Sequence, residues 1–131
     1  MKLYDSGEKL TKGSLERFEK MLGKSLPSDY KDFMMKDNGG TPEEDLAFSF
    51  IDVTTNSTNN SDIRELFVFY EDEDNDNFDD IVRIYNSMVN ENLIPPFFLP
   101  IGDDSGGNPI CMNLSENEYG SVWFCDHELE N

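Results

Sequence analysis

Positive charge is scarce in this chain. Ten Lys and Arg stand against 28 Asp and Glu, a formal net charge of -18 over 131 residues. Phosphate binding needs Lys and Arg, so this field repels nucleic acid. It repels an anionic membrane surface for the same reason. Histidine is scarcer still, His127 being the sole example. With two cysteines, Cys111 and Cys125, the ligands are too few and too badly spaced for a zinc set. Long apolar runs are also missing. The longest, Leu93 to Ile101, is interrupted by Pro95, Pro96 and Pro100 and is too short to span a bilayer. The opening Met1-Lys2-Leu3-Tyr4-Asp5-Ser6-Gly7-Glu8 contains no apolar signal-peptide core, so a cytoplasmic location with reduced thiols is expected. Gly102-x-x-x-Gly106-Gly107 lacks the Lys-Ser/Thr of a phosphate-binding loop and leads into a strand rather than a helix.

Apolar residues are sufficient for one core. Hydrophobic residues make up 37% and aromatics 12%, with ten Phe, which is richer than disordered chains usually are. The length is that of one domain, and no repeat or linker divides residues 1–131.

The periodicity predicts a first helix from about Thr11 to Leu22, with Thr11 as N-cap, Leu15, Phe18, Met21 and Leu22 on one face, and Gly23 ending it. A second helix follows Leu26-Pro27, capped by Ser28, with Tyr30, Phe33 and Met34 as its buried stripe and Asn38-Gly39-Gly40 as its stop. Ala47 to Asp52 reads as a strand and the Thr/Asn/Ser-rich stretch Val53 to Asp62 as a loop. Leu66 to Tyr70 is an apolar run of strand length, which predicts a central strand. A third helix is expected from near Phe78, with Phe78, Ile81, Val82, Tyr85, Met88 and Val89 following the helical period and Asp79 and Asp80 in its first turn. Phe97 to Ile101 reads as a strand with an edge-tolerant proline, and Gly102 to Gly107 as a turn. Pro109–Leu114 and Ser121–Cys125 read as a hairpin with Ile110, Met112, Leu114, Val122 and Phe124 on one face and Cys111, Trp123 and Cys125 on the other. This order predicts an α+β fold with a central, mostly antiparallel sheet flanked by about three helices.

The acidic run Glu71 to Asp80 is the main chemical feature. Asp72-x-Asp74-x-Asp76 matches the start of an EF-hand calcium loop, but the sixth position is Asn77 rather than Gly. The twelfth is Arg83 rather than a bidentate Glu, and an arginine there opposes a cation. The run therefore reads as a solvated loop or as a docking surface for Lys and Arg of another protein. Cys125 and His127 would share a strand face and could in principle pair as nucleophile and base. No orienting or oxyanion group accompanies them, so no enzyme, cofactor or metal is expected.

Leu26-Pro27-Ser28-Asp29-Tyr30-Lys31-Asp32-Phe33 with Asn38-Gly39-Gly40 resembles the signature of the SUKH superfamily, in the branch related to the yeast cell-wall-assembly regulator. Pro100-Ile101-Gly102-Asp103, Gly107-Asn108 and Val122-Trp123-Phe124 with Asp126-His127 extend the likeness from about Thr11 to His127, with little signature between Thr41 and Asn92. The resemblance implies an α+β fold with a central sheet flanked by helices. It also implies a cytoplasmic immunity protein that binds and neutralises a cognate secreted or contact-delivered toxin, often a nuclease or nucleic-acid deaminase. The alternative is a regulatory interaction module without a toxin partner. No shared catalytic residues come with the resemblance. The expected contacts to a basic partner are Asp72, Glu73, Asp74, Asp76, Asp79 and Asp80, then Asp103, Asp104, Asp126 and Glu128.

Overall fold

The computed structural model describes residues 3–42, 46–52 and 58–124, with 46–52 and 58–62 described by their backbone alone. The chain runs β1 (Leu3–Tyr4), α1 (Lys12–Leu22), α2 (Ser28–Lys36), β2 (Thr41–Pro42), β3 (Leu46–Asp52), β4 (Thr58–Ile63), β5 (Glu65–Leu66), α3 (Ile81–Asn90), β6 (Phe98–Asp103), β7 (Pro109–Asn113) and β8 (Val122–Phe124). Strands β1 and β2 form a small sheet, and the other six form one sheet in the order β4-β3-β8-β7-β6-β5. Every pairing is antiparallel except the parallel β3–β8 pair. The α+β class and the mostly antiparallel sheet are as expected.

Helix α1 begins at a reciprocal cap. Thr11 Oγ1 accepts from the Ser14 N–H at 3.2 Å, and Ser14 Oγ accepts from the Thr11 N–H at 3.2 Å. Gly23, at φ 72°, ends it by donating to the Glu19 carbonyl at 2.9 Å. In α2 the expected cap is shifted: Ser28 is the first helical residue, and Pro27 occupies the N-cap without a side-chain bond. The Pro27 carbonyl accepts the first helical bond, from the Lys31 N–H at 3.0 Å. The hairpin of β7 and β8 forms as expected, with Ile110 opposite Phe124, Cys111 opposite Trp123 and Met112 opposite Val122.

Three expectations are corrected. Residues 58–62 are strand, not loop: β4 pairs with β3 from Leu46–Ile63 to Ile51–Thr58. Its polar composition suits a strand at the sheet edge, where turn-like residues do not forbid pairing. Residues 53–57 of that predicted loop lie outside the described residues. The apolar run Leu66–Tyr70 is not a central strand, since β5 holds two residues at the opposite edge. The rest of the run finds other backbone partners, described below. Pro100 lies in an inner strand rather than on an edge. It sits where the β6–β7 register shifts, beyond the Gly102 and Asp103 that β5 pairs, so its missing N–H interrupts little.

The larger core joins α1, α2 and α3 to one face of the sheet through Leu15, Phe18, Tyr30, Met34, Ile81, Leu99 and Met112. Phe18 and Phe69 stack with centroids 4.6 Å apart and planes 8° from parallel. Each such buried ring contributes roughly 2–3 kcal/mol. A smaller cluster, Ile94, Phe98 and Cys111 with Met88 and Trp123 against it, uses the alternate strand positions.

Candidate protein-binding surface

Residues 71–80 carry seven carboxylates, and the fold sorts them by what each one touches. Asp80 is buried and is the N-cap of α3, accepting from the Val82 N–H at 3.0 Å and the Arg83 N–H at 3.4 Å. Its placement corrects the helix start: α3 begins at Ile81, and Asp79 and Phe78 precede it. Asp79 accepts from the Tyr70 hydroxyl at 2.7 Å. Burial, then this bond, raises the Tyr70 pKa. Glu71 meets Arg17 at 2.7 Å in an exposed pair that contributes little to stability.

Asn75 staples the loop. Its Nδ2 donates to the Asp80 carboxylate at 2.9 Å and to the Asp72 carbonyl at 2.6 Å, and its Oδ1 accepts from the Asn77 N–H at 3.0 Å. Arg83 donates to the Asn77 carbonyl at 3.2 Å. The twelfth residue of the calcium-like pattern thus places a guanidinium on the sixth. Asp72 turns one carboxylate oxygen onto the Asp74 N–H at 2.9 Å. Asp72, Glu73, Asp74 and Asp76 remain exposed on a loop whose backbone is tied at both ends.

The second-choice residues fare differently. Asp103 is buried and receives both prongs of Arg64, from Nε to Oδ1 at 3.1 Å and from Nη2 to Oδ2. This pairing raises the Arg64 pKa. Burial first and Asp103 second raise the pKa of the neighbouring Glu65. Asp104 is buried and shapes the β6–β7 turn, its Oδ1 accepting from the N–H groups of Gly106 and Asn108, each at 2.9 Å. Asp103 and Asp104 therefore do structural work, as Asp80 does. Asp126, Glu128, Cys125 and His127 lie outside the described residues, and Cys111 is buried in β7.

The helical period includes Phe78 among the apolar residues of α3, yet it lies before the helix and is 81% exposed. The signal was available: Asp is among the best N-caps, and a start at Asp80 leaves Phe78 outside the helix.

The model of the SMI1/KNR4 family (SUKH-1) matches residues 9–131. The chain belongs to this family. It is 30% identical over 131 residues to the SPbeta prophage-derived uncharacterized protein YokK of Bacillus subtilis (strain 168), covering 92% of this chain. The chain spans 64% of the length of that relative. No solved structure matches the chain. SUKH proteins typically bind partner proteins. Among the described residues no helix is long and apolar enough to cross a membrane. The Asn-Gly-Gly that carried the resemblance has a structural task here. Gly39, at φ 67°, lies so close to the Leu66 and Phe67 carbonyls that a Cβ would collide with them.

Proposed function

We propose that this SUKH protein is a cytoplasmic immunity protein, acting as one binding domain. Its partner is a basic bacterial toxin, a nuclease or nucleic-acid deaminase, whose active surface it covers. The observation that carries this reading is the set of exposed carboxylates Asp72, Glu73, Asp74 and Asp76 on a loop held by Asn75 and Asp80. A toxin that grips phosphate must gather Lys and Arg at its substrate site. A fixed acidic loop competes for those same cations. The net charge of -18 steers the encounter, and such pairs associate at up to about 10⁸ M⁻¹s⁻¹ at low salt. Family membership supports a protein partner over a small substrate, and the relative's prophage derivation suits a gene carried with its toxin.

The test is co-expression with the toxin-like product of the adjoining gene. Growth rescue together with co-purification is the expected result. A toxin that kills equally with and without this protein, and does not bind it, removes the reading.

A further inference from the structure

Phe78 lies between Asp76 and Asp79 in the sequence and is the most exposed large apolar side chain among the described residues, at 81%. A single exposed apolar residue is ordinary. Two features set this one apart. The turn that displays it is tied down on both sides. Before it, the Asn77 carbonyl accepts from the Arg83 guanidinium at 3.2 Å and from the Asp80 N–H at 3.3 Å. After it, the Asp79 side chain accepts from the Tyr70 hydroxyl at 2.7 Å, and the Asp79 carbonyl from the Val68 N–H at 2.9 Å. The backbone that displays the ring is held this way, so the turn loses little conformational freedom on binding. Beside it runs a groove whose apolar lining is Phe67, Ile84, Met88 and Pro109, with Glu65 and the Arg64–Asp103 ion pair as its charged lining. Ile84 and Met88 are one helical turn apart on α3 and half-buried, so this face is only partly covered by the protein itself.

We infer that Phe78 and this groove form the apolar anchor of the toxin interface, and that the toxin meets them with an apolar side chain flanked by Lys or Arg. The inference rests on the toxin-binding reading above. Charge complementarity selects the occupant. Asp76 and Asp79 flank Phe78 in the chain, and Glu65 and Asp103 outnumber Arg64 in the groove lining, so a partner that buries Phe78 brings cations to a negative surround. A second copy, also at -18, is repelled, and so is an anionic lipid surface. The surface then divides its work. Exposed carboxylates act at long range and set the association rate. A desolvated aromatic acts on contact and sets the dissociation rate.

The experiment measures both rate constants against the immobilised product of the adjoining toxin-like gene, in its inactive form, at several salt concentrations. Phe78→Ser speeds dissociation by about 30-fold, as a hot-spot aromatic does, while association and its salt dependence stay at the wild-type values. A triple Asp72→Asn, Asp74→Asn, Asp76→Asn variant slows association by about tenfold and flattens its salt dependence. An unchanged thermal melt of Phe78→Ser confirms that its fold is intact. A dissociation rate for Phe78→Ser within about twofold of wild type, beside a slowed triple variant, overturns the anchor and leaves the toxin-binding reading standing. Absence of wild-type binding at every salt concentration overturns both.

Discussion

The side-chain amide of Asn38 closes both backbone hydrogen bonds of Phe69. The Phe69 N–H donates to Asn38 Oδ1 at 2.9 Å, and Asn38 Nδ2 donates to the Phe69 carbonyl at 2.9 Å. The same Nδ2 reaches the Glu8 carbonyl at 2.9 Å, while the Asn38 carbonyl accepts from the Gly7 N–H at 2.9 Å. One asparagine therefore imitates a neighbouring strand for a buried segment and ties the N-terminal segment to it. The stacked Phe18–Phe69 pair depends on this clamp, because it lets Phe69 enter the core without stranding its backbone.

Asn38→Leu keeps the branched shape, with bulkier methyl groups, and removes the clamp. Two buried backbone groups of Phe69 lose their partners, at a cost of about 3 kcal/mol or more. The urea midpoint should fall accordingly, with little change in slope. Asn38→Asp retains an acceptor for the Phe69 N–H but turns a carboxylate toward two carbonyls. Its deficit should shrink on acidification, because the protonated form is uncharged and regains a donor. Equal deficits at neutral and acid pH would contradict this account of the amide.

That clamp also explains why Leu66–Tyr70 is not the central strand its apolar run predicts. A continuous apolar run specifies burial, and a strand is the usual way to bury a backbone. Here the backbone bonds of the run go to scattered partners: Leu66 to Gly40, Phe67 to Ile101, Val68 to Asp79 and Ile81, and Phe69 to the Asn38 side chain. None of these partners is visible in local periodicity. The amphipathic helices, the β7–β8 hairpin and the capping by Thr11 and Gly23 were legible, because each depends on residues within a few positions of one another. The acidic surface was legible as a composition but not as a site. Asp80, Asp103 and Asp104 look like Asp72, Asp74 and Asp76 in one dimension, and only burial separates caps and ion pairs from exposed carboxylates.

That separation is open to mutation. Asp80→Ala removes the α3 cap and the anchor of Asn75, and should cost about 1–2 kcal/mol. Asp74→Asn changes an exposed side chain and should stay within about 0.5 kcal/mol of wild type. Thermal melts of the two variants, side by side, decide the point. A similar loss in both would mean that the loop carboxylates all serve the fold.

Charge reversal tests the exposed residues in their proposed role. Asp74→Lys with Asp76→Lys should slow association with the toxin by at least about tenfold at low salt. The gap from wild type should close as salt screens both proteins, since the Debye length falls to about 3 Å at 1 M. A wild-type association rate that ignores ionic strength would refute steering by this loop and move the interface elsewhere.

Tyr30 carries the opposite kind of test, a substitution expected to stabilise. Its ring is buried in α2 against the core, stacked on Phe33 with centroids 6.4 Å apart. Its hydroxyl finds no hydrogen-bond partner among the described residues. Burial raises its pKa above the ordinary value of 10.0, because a phenolate there would be desolvated. A raised folded-state pKa means that the protonated form favours folding. The contribution is fully present below pH 10.0 and is lost as the pH climbs from there toward the folded-state value. The protein should therefore lose stability in alkali, with Tyr70, whose pKa is raised too, adding to the loss. Tyr30→Phe deletes an unpaired buried oxygen and should raise stability at neutral pH by about 1 kcal/mol. It should also weaken the alkaline decline, since the hydroxyl that must ionise is gone. Urea unfolding at neutral pH and near pH 11 measures both effects. A destabilised Tyr30→Phe would show that the hydroxyl has a partner that stabilises the fold.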